Sequence, residues 1–269
     1  MFSARAAAFA LLLAAAPAAG AEEPIPLRHD LGLDLAITGS ALAFTGLTEL
    51  LKDELAPAHC RFCGTNALDA GARRLLVLGH GDQARTASDV VVLGLLPAVA
   101  AHQLLAARAA GDVREGARDL LYVLEATAIA TSITQVTKLA VGRERPFVHY
   151  GNYSDPGRRP RSDDNVSFFS GHTSMAFSLA AAAGTVSDLR GYRSAPWVWG
   201  AGLTLATAAG YLRIAADQHY LTDVLVGAAV GTAVGVAVPR LLHPREDRPG
   251  SGRAGVMLVP VPIGIAGVF

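Results

Sequence analysis

Apolar residues run along this chain in long stretches separated by short polar loops. Residues 35–48 carry no charge between Asp34 and Glu49, residues 90–107 are uncharged, and residues 119–138 are apolar apart from Glu125 inside the run. Residues 172–187 are alanine-rich, and 194–212 and 224–239 are again uncharged. A helix that crosses a bilayer needs about 17 to 25 mainly apolar residues. Three of the stretches reach or approach that length and three are short. The pattern predicts an all-α bundle of about five to six largely membrane-embedded helices; its alternative is a soluble, alanine-rich bundle. Gly227, Gly231 and Gly235 recur every four residues, which places them on one helix face and suits close contact with a neighbour.

Composition sharpens this picture. Charged residues make up 17% of the chain, below the roughly 25% usual in soluble domains. The formal net charge is zero, which offers no ground for nucleic acid as a partner. At the N-terminus, Arg5, an apolar core over 6–16 and Ala19-Gly20-Ala21 fit a signal peptide over 1–21, cleaved before Glu22. The alternative is an uncleaved anchor. Residues 22–88 then read as an exported segment with a short apolar helix, 89–243 as a helical catalytic domain, and 244–269 as a linker and tail. The tail alternates weakly and reads as docked or disordered. Cys60 and Cys63 in "HCRFCG" suit a local disulfide in an exported segment and lack the ligands of a structural zinc site.

Basic loops set an expected orientation. Arg108, Arg114 and Arg118, then Arg190 and Arg193, then Arg240, Arg245, Arg248 and Arg253 would face the cytoplasm. Loops 139–171 and 213–222 would face outward. A cleaved leader starts the mature chain outside, however, so this orientation requires either that 35–48 does not cross and five spans remain, or that the N-terminal segment is no export signal of this kind.

Three polar clusters lie in or beside the outward loops. In "KLAVGRERPF", Lys138 and Arg145 are seven residues apart, on one side if the helix continues. In "FFSGHTS", Ser170 and Gly171 open an apolar helix whose first amides are free to bind an anion. In "RIAADQHYLTD", His219 and Asp223 are one helical turn apart, so the carboxylate can orient the imidazole. Fixed cations and a helix N-terminus match the oxygens of a phosphate. A histidine held by an aspartate can attack phosphorus, and a second histidine can protonate the leaving oxygen.

These clusters resemble the signature of the type 2 phosphatidic acid phosphatase (PAP2) superfamily, K-x6-R-P, P-S-G-H and S-R-x5-H-x3-D. Lys138, Arg145 and Pro146 complete the first element; Ser170, Gly171 and His172 match the second, with Phe169 in place of proline. Arg213, His219 and Asp223 match the third, with Leu212 in place of serine. The resemblance implies a PAP2/haloperoxidase-like helical core and a phosphohistidine intermediate. It assigns His219 as nucleophile, Asp223 as its orienter and His172 as general acid. Lys138, Arg145, Ser170, Gly171 and Arg213 would hold phosphate, with no cofactor and no metal. The expected partners are a lipid phosphate substrate and the membrane, with the site at the periplasmic face of the inner membrane. A soluble periplasmic acid phosphatase of the same superfamily is the alternative, and vanadate-dependent haloperoxidases share the site architecture. Arg158, Arg159 and Arg161 read as loop charges; His80, His102, His149 and His243 read as structural.

Overall fold

The computed structural model describes residues 24–79, 81–152, 161–246, 257–261 and 264–268. The expected leader, His80, Arg158 and Arg159 lie outside the described residues. The helices are α1 (Leu31–Leu50), α2 (Lys52–Leu55), α3 (Ala67–Leu76), α4 (Gly81–Ala109) and α5 (Val113–Val141). They are followed by α6 (Pro146–His149), a 3-10 turn (Ser162–Asn165), α7 (Gly171–Arg190), α8 (Ala195–Ala215) and α9 (Leu221–Leu242). Side-chain caps fix several starts. Asp30 accepts from the Leu33 amide, Asn66 from Asp69 and Asp112 from Arg114, each satisfying a first-turn donor.

α1, α4, α5 and α9 are long and apolar enough to cross a membrane. α7 takes a different role. It is the central helix, packed against α4, α5, α8 and α9, and its alanines from Ala180 to Ala183 are at most 1% exposed. The glycine stripe explains the closest of these contacts. A Cβ on Gly227 would stand 2.8 Å from the Ser170 carbonyl oxygen, and one on Gly235 would stand 2.7 Å from that of Ser178. Gly231 meets Ser174 in the same way. The stripe therefore seats α9 directly on the backbone of α7 and brings the two helix N-termini together.

The first apolar segment differs from its expectation. It is a full 20-residue helix, because Asp30 caps it one turn before the uncharged run and the buried Asp34 lies inside it. Before α1, the Ile25 amide donates to the Arg190 carbonyl and the Arg28 amide to that of Pro244. At the other end, Glu49 and Lys52 line the same cavity as Lys138. α1 thus runs the length of the bundle, from the end with the basic loops to the end with the polar clusters, and the idea of a segment too short to cross is corrected. The tail also differs: Met257–Val261 and Gly264–Val268 pair as an antiparallel hairpin, Met257 opposite Val268, added to the otherwise helical fold.

Candidate active site

Two turns bring the sequence clusters together. α5 ends at Val141 because Gly142 adopts a left-handed conformation, φ 62°, that a side chain disfavours. The disulfide-bonded Cys60–Cys63 loop packs on this end. Arg61 donates to the carbonyls of Leu139 and Ala140, and the Arg61 and Phe62 amides donate to that of Gly142. Lys138 and Arg145 are therefore not on one continuous helix. Arg145 arrives through the turn, immediately before Pro146 opens α6. The second turn follows α8. Asp217 takes φ 59° and is held by Arg73 and Asn152. The chain folds back so that the Gln218 and His219 amides both donate to the Arg213 carbonyl. This reversal is why Arg213 and His219 share one site at a spacing of six.

Lys138, Arg145, His172, Arg213 and His219 line one cavity of about 1010 Å³, together with Lys52, Arg85, Arg161 and Asp163. His219 is 2% exposed. Its Nε2 lies 3.3 Å from Arg145 Nη1, while its Nδ1 lies 3.6 Å from Asp223 Oδ2, beyond hydrogen-bond length. Burial pushes the imidazole well below its ordinary pKa, and Arg145, Arg213, Lys138 and His172 push the same way. Arg145 also binds the Asp163 carbonyl and carboxylate and the Gln218 carbonyl, which fixes its guanidinium. Burial raises the Asp163 carboxyl, yet Arg145 and Lys52 overcome it and hold the group well below the usual carboxylate range. Lys138 forms no ion pair among the described residues, and its Nζ would stand 3.3 Å from a Cβ on Gly171.

Ser170 departs from its expected place. It is fully buried, its amide donates to the Asp223 carbonyl, and its hydroxyl caps α7 by accepting from Thr173. Its amide is thus spent on joining α7 to α9.

Sequence reasoning missed three residues in the site. Arg143, inside the first cluster, donates to Asp223 Oδ1 at 2.5 Å and to Asp69 Oδ2 at 2.7 Å. Asp223 Oδ2 accepts from Ser167 Oγ at 2.6 Å and from the Tyr220 amide. Asp69 also binds the Thr222 amide and hydroxyl. Asp89, on α4, lies 2.8 Å from His172 Nε2 and 3.3 Å from Arg213 Nη1. A local signal existed for Arg143 alone, since it falls within the motif. Asp69 and Asp89 reach the site only through tertiary packing. Arg161 lines the cavity wall, contrary to its reading as a loop charge.

A buried imidazole with one nitrogen open to several fixed cations, and a second imidazole in the same cavity, can bind a phosphate and transfer it to nitrogen. Comparisons with known proteins find three likenesses. Over 89 residues the chain is 41% identical to a lipid A 1-phosphatase of Porphyromonas gingivalis, a match that covers 33% of this chain and 19% of that protein. The chain thus spans about a fifth of the curated relative it matches. A transmembrane PAP2 type phosphatidylglycerolphosphate phosphatase from Bacillus subtilis aligns over 87% of this chain and 92% of its own, at 19% identity and a TM-score of 0.39. The family model for the PAP2 superfamily matches residues 119–247, a span that holds every residue of the three clusters. Over that span the chain is similar to the PAP2 superfamily.

Proposed function

We propose that the protein is a membrane phosphatase that hydrolyses a lipid phosphate or pyrophosphate through a phosphohistidine intermediate, without a metal at the reacting phosphorus. The observation that carries this reading is the meeting of Lys138, Arg145 and Arg213 around the open Nε2 of His219 in one cavity. The cations bind the non-bridging oxygens and offset charge that develops on them. His219 Nε2 attacks phosphorus and the bond to the leaving oxygen breaks. His172 gives that oxygen its proton. Water, deprotonated by His172, then attacks the phosphohistidine and restores His219 with release of phosphate. Asp223 is the group nearest Nδ1, and a closing of the 3.6 Å gap in the substrate complex lets it take the Nδ1 proton as a hydrogen bond.

Lys52, Arg85 and Arg161 also line the cavity, balanced by Glu49, Asp82, Asp163 and Asp217, so the charge of the wall suits a phosphate monoester as well as a pyrophosphate. The likeness to a lipid A 1-phosphatase makes lipid A phosphates the first substrates to assay, ahead of phosphatidic acid, phosphatidylglycerol phosphate and undecaprenyl pyrophosphate. The test is rapid quenching with a lipid labelled in its phosphate. An acid-labile, base-stable phosphoprotein is expected in wild type and none in His219→Ala. Label that persists in His219→Ala overturns the assignment.

Two features support a periplasmic site; because α1 crosses, that orientation requires that the N-terminal segment is no export signal of this kind. The basic loops lie at the opposite end of the bundle, and the Cys60–Cys63 disulfide lies at the site end, as an oxidising compartment allows. In intact cells, a membrane-impermeant maleimide should label Gln83→Cys at the site end and leave Ala109→Cys unlabelled. The reverse pattern places the site in the cytoplasm.

A further inference from the structure

At the end of the bundle remote from the phosphate cavity, three ligand-type side chains from separate elements meet. They are Asp34 in the first turn of α1, Glu125 within α5 and His243 just past α9. One donor atom from each lies within 4.8 Å of the other two. Asp34 is 4% exposed, Glu125 and His243 not at all. Asp34 Oδ2 and Glu125 Oε1 are buried with no hydrogen-bond partner, as is the Tyr122 hydroxyl. The Tyr122 ring stacks on the His243 imidazole with centroids 3.7 Å apart.

The imidazole contacts decide what the pocket needs. His243 Nδ1 is 3.3 Å from the Arg28 carbonyl oxygen, which can only accept, so Nδ1 carries a proton. His243 Nε2 is 2.8 Å from Glu125 Oε2. With Nδ1 protonated, a neutral ring turns the Nε2 lone pair onto a carboxylate oxygen. Something positive must lie between them. A second proton on the ring matches one carboxylate; the other then needs a proton of its own, and neither Asp34 Oδ2 nor Glu125 Oε1 has a partner in the pocket. Arg190, the buried arginine at this end, is already bound to Asp119 and Glu115. A divalent cation neutralises both carboxylates, uses the lone pair and engages the orphan oxygens together.

The geometry points to a structural divalent-cation site, of zinc or manganese type, formed by Asp34, Glu125 and His243 Nε2. Ligand atoms held about 2.0–2.2 Å from one ion sit up to roughly 4.3 Å apart, so this cluster needs to contract by only a fraction of an ångström. Mixed imidazole and carboxylate donors suit zinc and manganese. The Nδ1–H bond to a backbone carbonyl is the usual way a ligating imidazole is oriented. The ion would clasp the start of α1, the middle of α5 and the exit of α9. α9, 22 residues and so roughly 33 Å long, separates this site from His219. The site is therefore independent of the phosphatase reading.

The experiment uses full-length protein purified in detergent on a histidine-free affinity tag. Metal content is measured by mass spectrometry for wild type, Glu125→Gln and His219→Ala. About one equivalent per chain is expected in wild type and His219→Ala, and at least tenfold less in Glu125→Gln. Chelator-stripped wild type should regain thermal stability on adding Zn²⁺ or Mn²⁺, which needs no variant to fold. Wild type that carries less than a tenth of an equivalent and gains no stability from either ion overturns the proposal and leaves a proton in the pocket. Metal that is lost in His219→Ala and kept in Glu125→Gln overturns it too, and would place the ion in the phosphate cavity.

Discussion

His219 and His243 bracket the same helix, one just before α9 and one just after it. Both are buried, and each stands beside a carboxylate. Their open sides differ. His219 Nε2 looks into the large cavity with Arg145 at 3.3 Å and Lys138 and Arg213 in the wall. His243 Nε2 meets Glu125 at 2.8 Å under the stacked Tyr122 ring. A buried histidine–carboxylate pair is therefore not in itself a catalytic unit. What separates the two is unneutralised positive charge around an accessible nitrogen, as against negative charge around an enclosed one.

The sharpest way to break this comparison is to remove each ring. His219→Ala should lower kcat by about 10⁴-fold or more, as loss of a nucleophile from a coupled unit does, with little change in Tm. His243→Ala should do the opposite. It leaves Glu125 and Asp34 buried without their partner, at a cost of about 3 kcal/mol or more, while kcat measured well below the Tm stays within a few-fold. Equal effects of the two changes on kcat would abolish the distinction.

Asp223→Asn comes next. Its expected loss in kcat is about 10²- to 10⁴-fold, the range for a carboxylate that orients a catalytic imidazole. Vanadate binding should be kept, because Asp223 faces Nδ1 and not the cavity. Arg143 retains Asp69 as a partner, so the fold should survive. A wild-type kcat in this variant would remove Asp223 from the mechanism.

How far this contrast could be read from the chain is uneven. Lys138, Arg145, His172, Arg213 and His219 from the three motifs do share one cavity, the glycine stripe does seat α9 on α7, and Cys60 and Cys63 are paired. Each of those is encoded by short-range spacing. Asp69 is 74 residues from Arg143 and Asp89 is 124 from Arg213, and no local periodicity marks such pairs. His243 looked bland for the same reason, since its partners come from α1 and α5. The break of α5 at Gly142 was hidden because Lys138 and Arg145 also match a continuous helix. The 20-residue length of α1 was hidden by Asp34, a charge inside the helix that is buried by packing.

Two buried arginines give a smaller, cleaner contrast. Arg213 faces the cavity, and its one ion pair among the described residues is to the partly exposed Asp89 at 3.3 Å. Arg190 is closed in by Asp119 and Glu115. Arg213→Ala should weaken vanadate inhibition by about 10- to 100-fold, the worth of one charge-assisted hydrogen bond, and leave Tm nearly unchanged. Arg190→Ala should leave vanadate affinity alone and cost about 3 kcal/mol of stability, because Asp119 remains buried and unpaired. Calorimetry and inhibition curves on both variants decide it; an Arg213→Ala protein that binds vanadate normally is not missing a phosphate ligand.

The smallest expected effect is in the pH profile, and it follows from the charge around His219. Burial comes first among the causes that lower its pKa, then Arg145, Arg213, Lys138 and His172. The folded value lies below the ordinary one, so the ring stays neutral and nucleophilic as pH falls through the usual histidine range. For the same reason its contribution to stability is complete above the unfolded pKa and is lost as pH falls toward the folded one. An aryl phosphate isolates this residue, because its leaving group departs without a proton and takes His172 out of the rate. With that substrate, and after correction for its own ionisation, kcat/KM should change less than threefold between pH 7.5 and about 6.0, where an ordinary histidine would already be mostly protonated. Replacing Lys138 by Met removes one of the repelling charges, so the acid limb should move to higher pH. An acid limb near the ordinary histidine value in wild type, or one that does not move in Lys138→Met, would mean that the cations do not act on His219.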